Sequence, residues 1–111
     1  MMQYIDIGVN LTHSVFNKNL TDVIHNSFNN NIKGIIITGS TIQNSLQANQ
    51  IISKYPHYNL YCTIGIHPLF INNKDDINMF DKLNDLYIND KVVAIGECGL
   101  DFSLKTKFKK D

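Results

Sequence analysis

The feature that most constrains this chain is the alternation of short β-branched apolar runs with segments of helical spacing. Tyr4 to Val9 reads as a strand. Leu20, Val23, Ile24 and Phe28 then fall at helical spacing, and Asn29-Asn30-Asn31 stops that helix. Ile35-Ile36-Ile37, entered through Gly34, is a second strand. Ser40 or Thr41 caps a second helix whose apolar positions are Ile42, Leu46, Ile51 and Ile52, and Tyr55-Pro56 ends it. Leu60 to Ile66 is a third strand. Met79, Phe80, Leu83, Leu86 and Tyr87 mark a third helix, and Val92-Val93-Ala94-Ile95 a fourth strand. The order is β-α-β-α-β-α-β. The second and fourth strands are apolar without interruption, as strands of a parallel sheet covered by helices must be. Crossovers of this kind are right-handed, so the fold class is α/β with parallel strands and helices outside them.

The 111 residues suffice for one domain, and 43% hydrophobic residues are enough for a packed core and too many for a disordered chain. Ten basic residues, all of them lysine, balance ten acidic ones. That balance excludes a nucleic-acid module that works by charge alone. No apolar run approaches the ~20 residues that span a bilayer. The N-terminus lacks a basic region followed by an apolar core, so neither membrane insertion nor secretion is expected. Cys62 and Cys98 form neither a zinc pattern nor a disulfide framework. They are read as buried free thiols of a cytoplasmic protein.

Chemistry gathers at the strand ends. Strict alternation places Asp6, Gly8 and Asn10 on one face of the first strand, and Ile5, Ile7 and Val9 on the other. Thr63, Gly65 and His67 share a face, as do Val93, Ile95 and Glu97. Each strand finishes with a polar side chain: Asn10, then Thr38 and Ser40, then His67, then Glu97. Parallel α/β folds bind ligands beyond the carboxyl ends of their strands. Glu97, between Gly96 and Cys98-Gly99, is a carboxylate suited to a hard divalent cation or to general-base work. Its structural alternative is a cap on the next helix. His67 precedes Pro68, which holds it out of helical geometry, and its alternative is a ring bonded to a loop carbonyl. His25 and His57 read as solvated. His13, just past the first strand, reads as a surface-loop residue within reach of the site. Gly39-Ser40-Thr41 enters a helix and could hold an anion on its amides. Lys105, Lys107, Lys109 and Lys110 form a solvated tail that could also meet phosphates.

Four motifs, Asp6-Ile7-Gly8-Val9-Asn10-Leu11-Thr12, Ile36-Ile37-Thr38-Gly39, Gly65-Ile66-His67-Pro68 and Val93-Ala94-Ile95-Gly96-Glu97-Cys98-Gly99-Leu100-Asp101-Phe102, together resemble the TatD-type metal-dependent deoxyribonucleases. Their order and spacing match the amino-terminal part of that family over nearly the whole chain. The resemblance implies the first half of a TIM-type (β/α)₈ barrel and hydrolysis of phosphodiester bonds in DNA. It implies a divalent cation, with Mg²⁺ expected, and 3′-to-5′ exonuclease action on single strands. By position, Glu97 matches the family's metal-ligand glutamate and is the expected catalytic residue. His67 matches the histidine of Gly-x-His-Pro, and Asp101 the aspartate of Gly-Leu-Asp; with Asn10 these are supporting residues.

Two departures shape the expectation. Most family members carry His-x-His at the end of the first strand, where this chain has Gly8 and Asn10. The TatD branch shares that Gly-x-Asn pattern, which suggests that one of two metal sites is absent or weak. A (β/α)₈ barrel also needs about 250 residues, whereas residues 1–111 form a single truncated domain with four strands and three helices. The family's later histidine and aspartate ligands would lie beyond Asp111. The isolated chain is therefore expected to be inactive. The alternatives are a non-enzymatic remnant that self-associates through open sheet edges, and an anion-binding domain built on Gly39-Ser40-Thr41.

Overall fold

A computed structural model of the chain describes residues 1–71 and 78–103. The four strands are β1 (Tyr4–Val9), β2 (Ile32–Ile37), β3 (Leu60–Ile64) and β4 (Val92–Ile95). Three helices connect them: α1 (Leu20–Asn29), α2 (Ile42–Lys54) and α3 (Met79–Tyr87). Short 3₁₀ turns at Ser14–Phe16 and Pro68–Phe70 follow β1 and β3. All pairings are parallel, and the spatial order is β1-β2-β3-β4. A sheet wound in one direction keeps its helices on one face and curls around the other, which is the architecture of half a (β/α)₈ barrel.

Local chemistry sets the boundaries. Thr41 accepts a hydrogen bond from the Asn44 amide and caps α2. Asn31, at φ 70°, takes the left-handed conformation that asparagine tolerates and turns the chain from α1 into β2. Its carbonyl accepts the Tyr4 amide at 2.9 Å, tying that turn to the start of β1. Tyr55 closes α2 by donating its amide to the carbonyls of Ile51 and Ile52.

The core lies between sheet and helices. Ile35 and Ile37 of β2, Leu60, Cys62 and Ile64 of β3, and Val92 of β4 point into it. They meet Ile24 of α1, Ala48 and Ile52 of α2, and Leu83 and Leu86 of α3. Burying a side chain such as Ile24, Ile37 or Leu60 contributes about 1.5–3 kcal/mol. On the concave face Ile5, Gly34, Ile36, Tyr61 and Val93 line a shallow apolar depression. Ile5 and Val93 remain 59% and 48% exposed there.

The structure corrects three readings of the strands. Alternation slips within β4: Cys62 pairs with Val92 and Thr63 with Ala94, so Val93 is an extra residue on the concave side and Ile95, paired with core-facing Ile64, does not share its face. β3 ends at Ile64 rather than Ile66, because the Gly65 amide leaves the ladder and donates to the Ser45 hydroxyl at 3.3 Å. Alternation also slips within β1. Asp6 pairs with Ile35 and Val9 with Ile37, so Ile7 and Gly8 together oppose the single residue Ile36. Ile5, Gly8 and Asn10 consequently share the concave side, and Val9 packs against the core. A further correction concerns the thiols: Cys62 is buried, but Cys98 is exposed, and both are free.

Candidate active site

At the carboxyl ends of the strands the chain forms one cleft of about 430 Å³. Gly8 and Asn10 come to it from β1, Thr38 and Ser40 from β2, His67 from β3 and Glu97 from β4. Leu69 and Phe70 of the second 3₁₀ turn complete its wall. The structure thus brings together the polar residues that the strand ends supply.

Backbone hydrogen bonds beyond the ladder hold these loops in register. Thr38 donates to Val9 O at 2.9 Å, His67 to Ser40 O at 2.8 Å and Glu97 to Gly39 O at 2.7 Å. The Gly39 amide donates to Thr63 Oγ1 at 3.1 Å. Asn44, in the first turn of α2, adds a side-chain clasp. Its Oδ1 accepts from the Ser40 amide at 3.0 Å and from the Ser40 hydroxyl at 3.3 Å. Its Nδ2 donates to Thr12 Oγ1 in the loop after β1. The amides of Gly39 and Ser40 are therefore already satisfied, which takes two of the three amides from the anion cradle read in Gly39-Ser40-Thr41.

Glu97 is half-buried at the cleft wall. His67 is oriented by its own turn, not by a carbonyl. Its Nδ1 accepts from the Leu69 amide at 3.1 Å, and its ring lies 5.7 Å from that of Phe70. A neutral imidazole that accepts at Nδ1 carries its proton on Nε2. His67 is thereby a donor toward the cleft and not a free nitrogen ligand.

Asp101 is half-buried and its Oδ1 accepts from the Ser103 amide at 2.8 Å, and it does not line the cleft. His13 is also outside the lining. Its Nδ1 accepts from the Val15 amide at 3.0 Å and caps the first 3₁₀ turn. His25 is exposed and bonds Tyr58 and Asn29 on the helical side. The lysine tail at 105–110 falls outside the described residues.

The donor set fits a divalent cation only in part. Glu97 offers a hard carboxylate oxygen and Asn10 an amide carbonyl. Among the described residues no three histidine, cysteine or acidic side chains come together. Hard cations such as Mg²⁺ take about six oxygen ligands, so these residues would supply at most one wall of such a site. Sequence reasoning passed over Leu69, Phe70 and Asn44. The first two follow the His-Pro step in a turn with no periodicity. Asn44 reveals itself only through partners remote in sequence.

Comparison with known proteins shows which proteins the chain resembles. The family model "TatD related DNase" matches residues 5–111. The chain is 42% identical over 98 residues to "3'-5' ssDNA/RNA exonuclease TatD" of Salmonella typhimurium, covering 88% of this chain and 36% of that protein. The Escherichia coli protein of the same name is 38% identical over the same length and coverage. A crystal structure of a TatD family hydrolase from Entamoeba histolytica superposes with a TM-score of 0.73 at 33% identity, covering 91% of this chain and 38% of that one. An uncharacterized amidohydrolase from Saccharomyces cerevisiae superposes with a TM-score of 0.70 at 27% identity, covering 92% of this chain and 38% of the other. The chain spans little more than a third of the length of these relatives.

Proposed function

The chain belongs to the TatD related DNase family, and from that premise we propose that it forms the strand 1–4 wall of a metal-dependent nuclease site. The reaction is 3′-to-5′ hydrolysis of phosphodiester bonds in single-stranded DNA. The relatives' name extends the substrate class to RNA. One observation carries the reading: Asn10, Ser40, His67 and Glu97, from the ends of four different strands, line one cleft.

Glu97 is the metal ligand this chain contributes, and Mg²⁺ is the ion that a carboxylate and substrate phosphates favour. A divalent ion, were one held there by Glu97, would supply Lewis-acid polarisation of the phosphodiester and activation of water. His67, with its proton on Nε2, donates a hydrogen bond to a phosphate oxygen. Phe70 is 52% exposed beside the cleft and offers an apolar ring on which a base can stack. Asp101 supports the loop that follows Glu97. Residues 1–111 act as one domain, and two free thiols suit a cytoplasmic setting.

With one carboxylate in the cleft among the described residues, the 111-residue chain by itself leaves DNA intact. The test joins residues 1–111 to the part of the Salmonella relative that lies beyond its match. Release of 3′ nucleotides from single-stranded DNA in Mg²⁺ is expected, with a loss of roughly a hundredfold or more in Glu97→Gln. A hybrid whose activity survives Glu97→Gln removes Glu97 from the reaction. Robust Mg²⁺-dependent release by the 111-residue chain alone overturns its expected inactivity.

A second reading, a self-associating half-barrel without enzymatic activity, is favoured by the exposed concave face and by β1 and β4 at the two edges of the sheet.

A further inference from the structure

Ser45 is the one polar side chain fully buried among the described residues. Its hydroxyl donates to Thr41 O at 2.7 Å, the back-bond that a helical serine commonly makes. It also accepts the Gly65 amide at 3.3 Å, and that second bond leaves the helix and reaches the end of β3.

Two glycines pack around this hydroxyl. A Cβ on Gly39 would collide with Thr63 O and come within 2.6 Å of Ser45 Oγ. A Cβ on Gly65 would collide with Glu97 O and lie 2.6 Å from Gly96 C and 2.8 Å from Glu97 N. Gly39 O in turn accepts the Glu97 amide at 2.7 Å. The order of the stack is the Ser45 hydroxyl, the two bare glycine backbones, then the peptide of Glu97.

We propose that Ser45 is a positioning residue for Glu97: its buried hydroxyl ties the Gly65 backbone to α2 and packs against Gly39, and these two backbones hold the peptide from which the Glu97 carboxylate reaches the cleft. Ser45 itself is outside the cleft and touches no reacting group. The inference rests on the reading of Glu97 as a ligand, but it concerns geometry that exists without metal or substrate.

The test compares Ser45→Thr with Ser45→Val in the 111-residue chain. The two side chains have the same shape and differ in the hydroxyl. Amide hydrogen exchange is followed by NMR at Gly65 and Glu97, with Ile35 and Cys62 as core references. The hydroxyl-free variant should exchange at Gly65 and Glu97 roughly tenfold or more faster than the threonine variant, with the core references alike. Equal exchange at Glu97 in the two variants overturns the proposal. So does acceleration that spreads equally to Ile35 and Cys62, which marks a purely structural serine. If the added methyl prevents folding, Ser45→Ala against the unaltered chain gives the same comparison. A failure of Glu97 as a ligand shows in the hybrid nuclease and leaves the exchange result standing.

Discussion

The amide of Glu97 donates to the carbonyl of Gly39 across the end of β3, at 2.7 Å. The candidate ligand of the fourth strand is thus carried by the loop of the second. The crossing is open because Gly65, directly beneath it, has no side chain.

Glycine substitutions should separate by what a Cβ meets. Gly65→Ala and Gly39→Ala drive a methyl into backbone atoms of Glu97 and Thr63. Each should cost about 1–3 kcal/mol in urea unfolding. At Gly8 the nearest atom to a new Cβ is Thr38 Oγ1, at 3.6 Å. Gly8→Ala should therefore stay within about 0.5 kcal/mol of the parent. Equal losses at Gly8 and Gly65 would contradict this packing.

The two cysteines should behave differently. Cys98 is exposed and should react with a thiol reagent in the folded chain, while buried Cys62 should wait for unfolding. Burial pushes the Cys62 thiol up from 9.0 to about 11. A raised thiol pKa means that the unfolded chain loses its proton first. The contribution is intact below pH 9 and is lost as pH rises toward about 11. The loss is at most about 1.4 kcal/mol per pH unit. Denaturation from pH 8 to 11 should show a steeper fall for the parent than for Cys62→Ala.

The His67 ring should be a single tautomer when neutral. Its Nδ1 is occupied by the Leu69 amide, so long-range nitrogen–proton correlation should place the proton on Nε2. A ring protonated at Nδ1 would remove His67 as a donor to phosphate.

The concave face should govern association. If copies of the chain pair through it, Ile5→Lys and Val93→Lys should each weaken self-association roughly tenfold or more, since each removes an apolar side chain from the contact. Sedimentation equilibrium measures this directly. A parent chain that stays monomeric at high concentration ends the self-association reading.

Much of this molecule is legible in its sequence because the signals are local. The asparagine run after Phe28, the cap at Thr41 and the continuous apolar strands are properties of neighbouring residues. The strand-end rule likewise delivers Asn10, Thr38, Ser40, His67 and Glu97 to one cleft. What is not legible depends on partners distant in the chain. The early end of β3 comes from a serine in α2. The slipped face of β1 comes from its register against β2. The committed nitrogen of His67 comes from a turn whose geometry has no periodic signature, and the exposure of Cys98 follows from the tertiary placement of the loop after β4.

The extra residue in β1 has a consequence for how the cleft is aimed. Were the strand to keep strict metre, Ile5 and Val9 would look the same way and Asn10 would be turned into the oil of the helix layer. The doubled step at Ile7 and Gly8 works as a syncopation. The lower half of the strand keeps time with the apolar interior, and the upper half keeps time with the chemistry. Deleting Ile7 should restore a regular strand and leave both halves facing as they do now. Inserting a residue beside Asn10 should turn its amide away from Glu97.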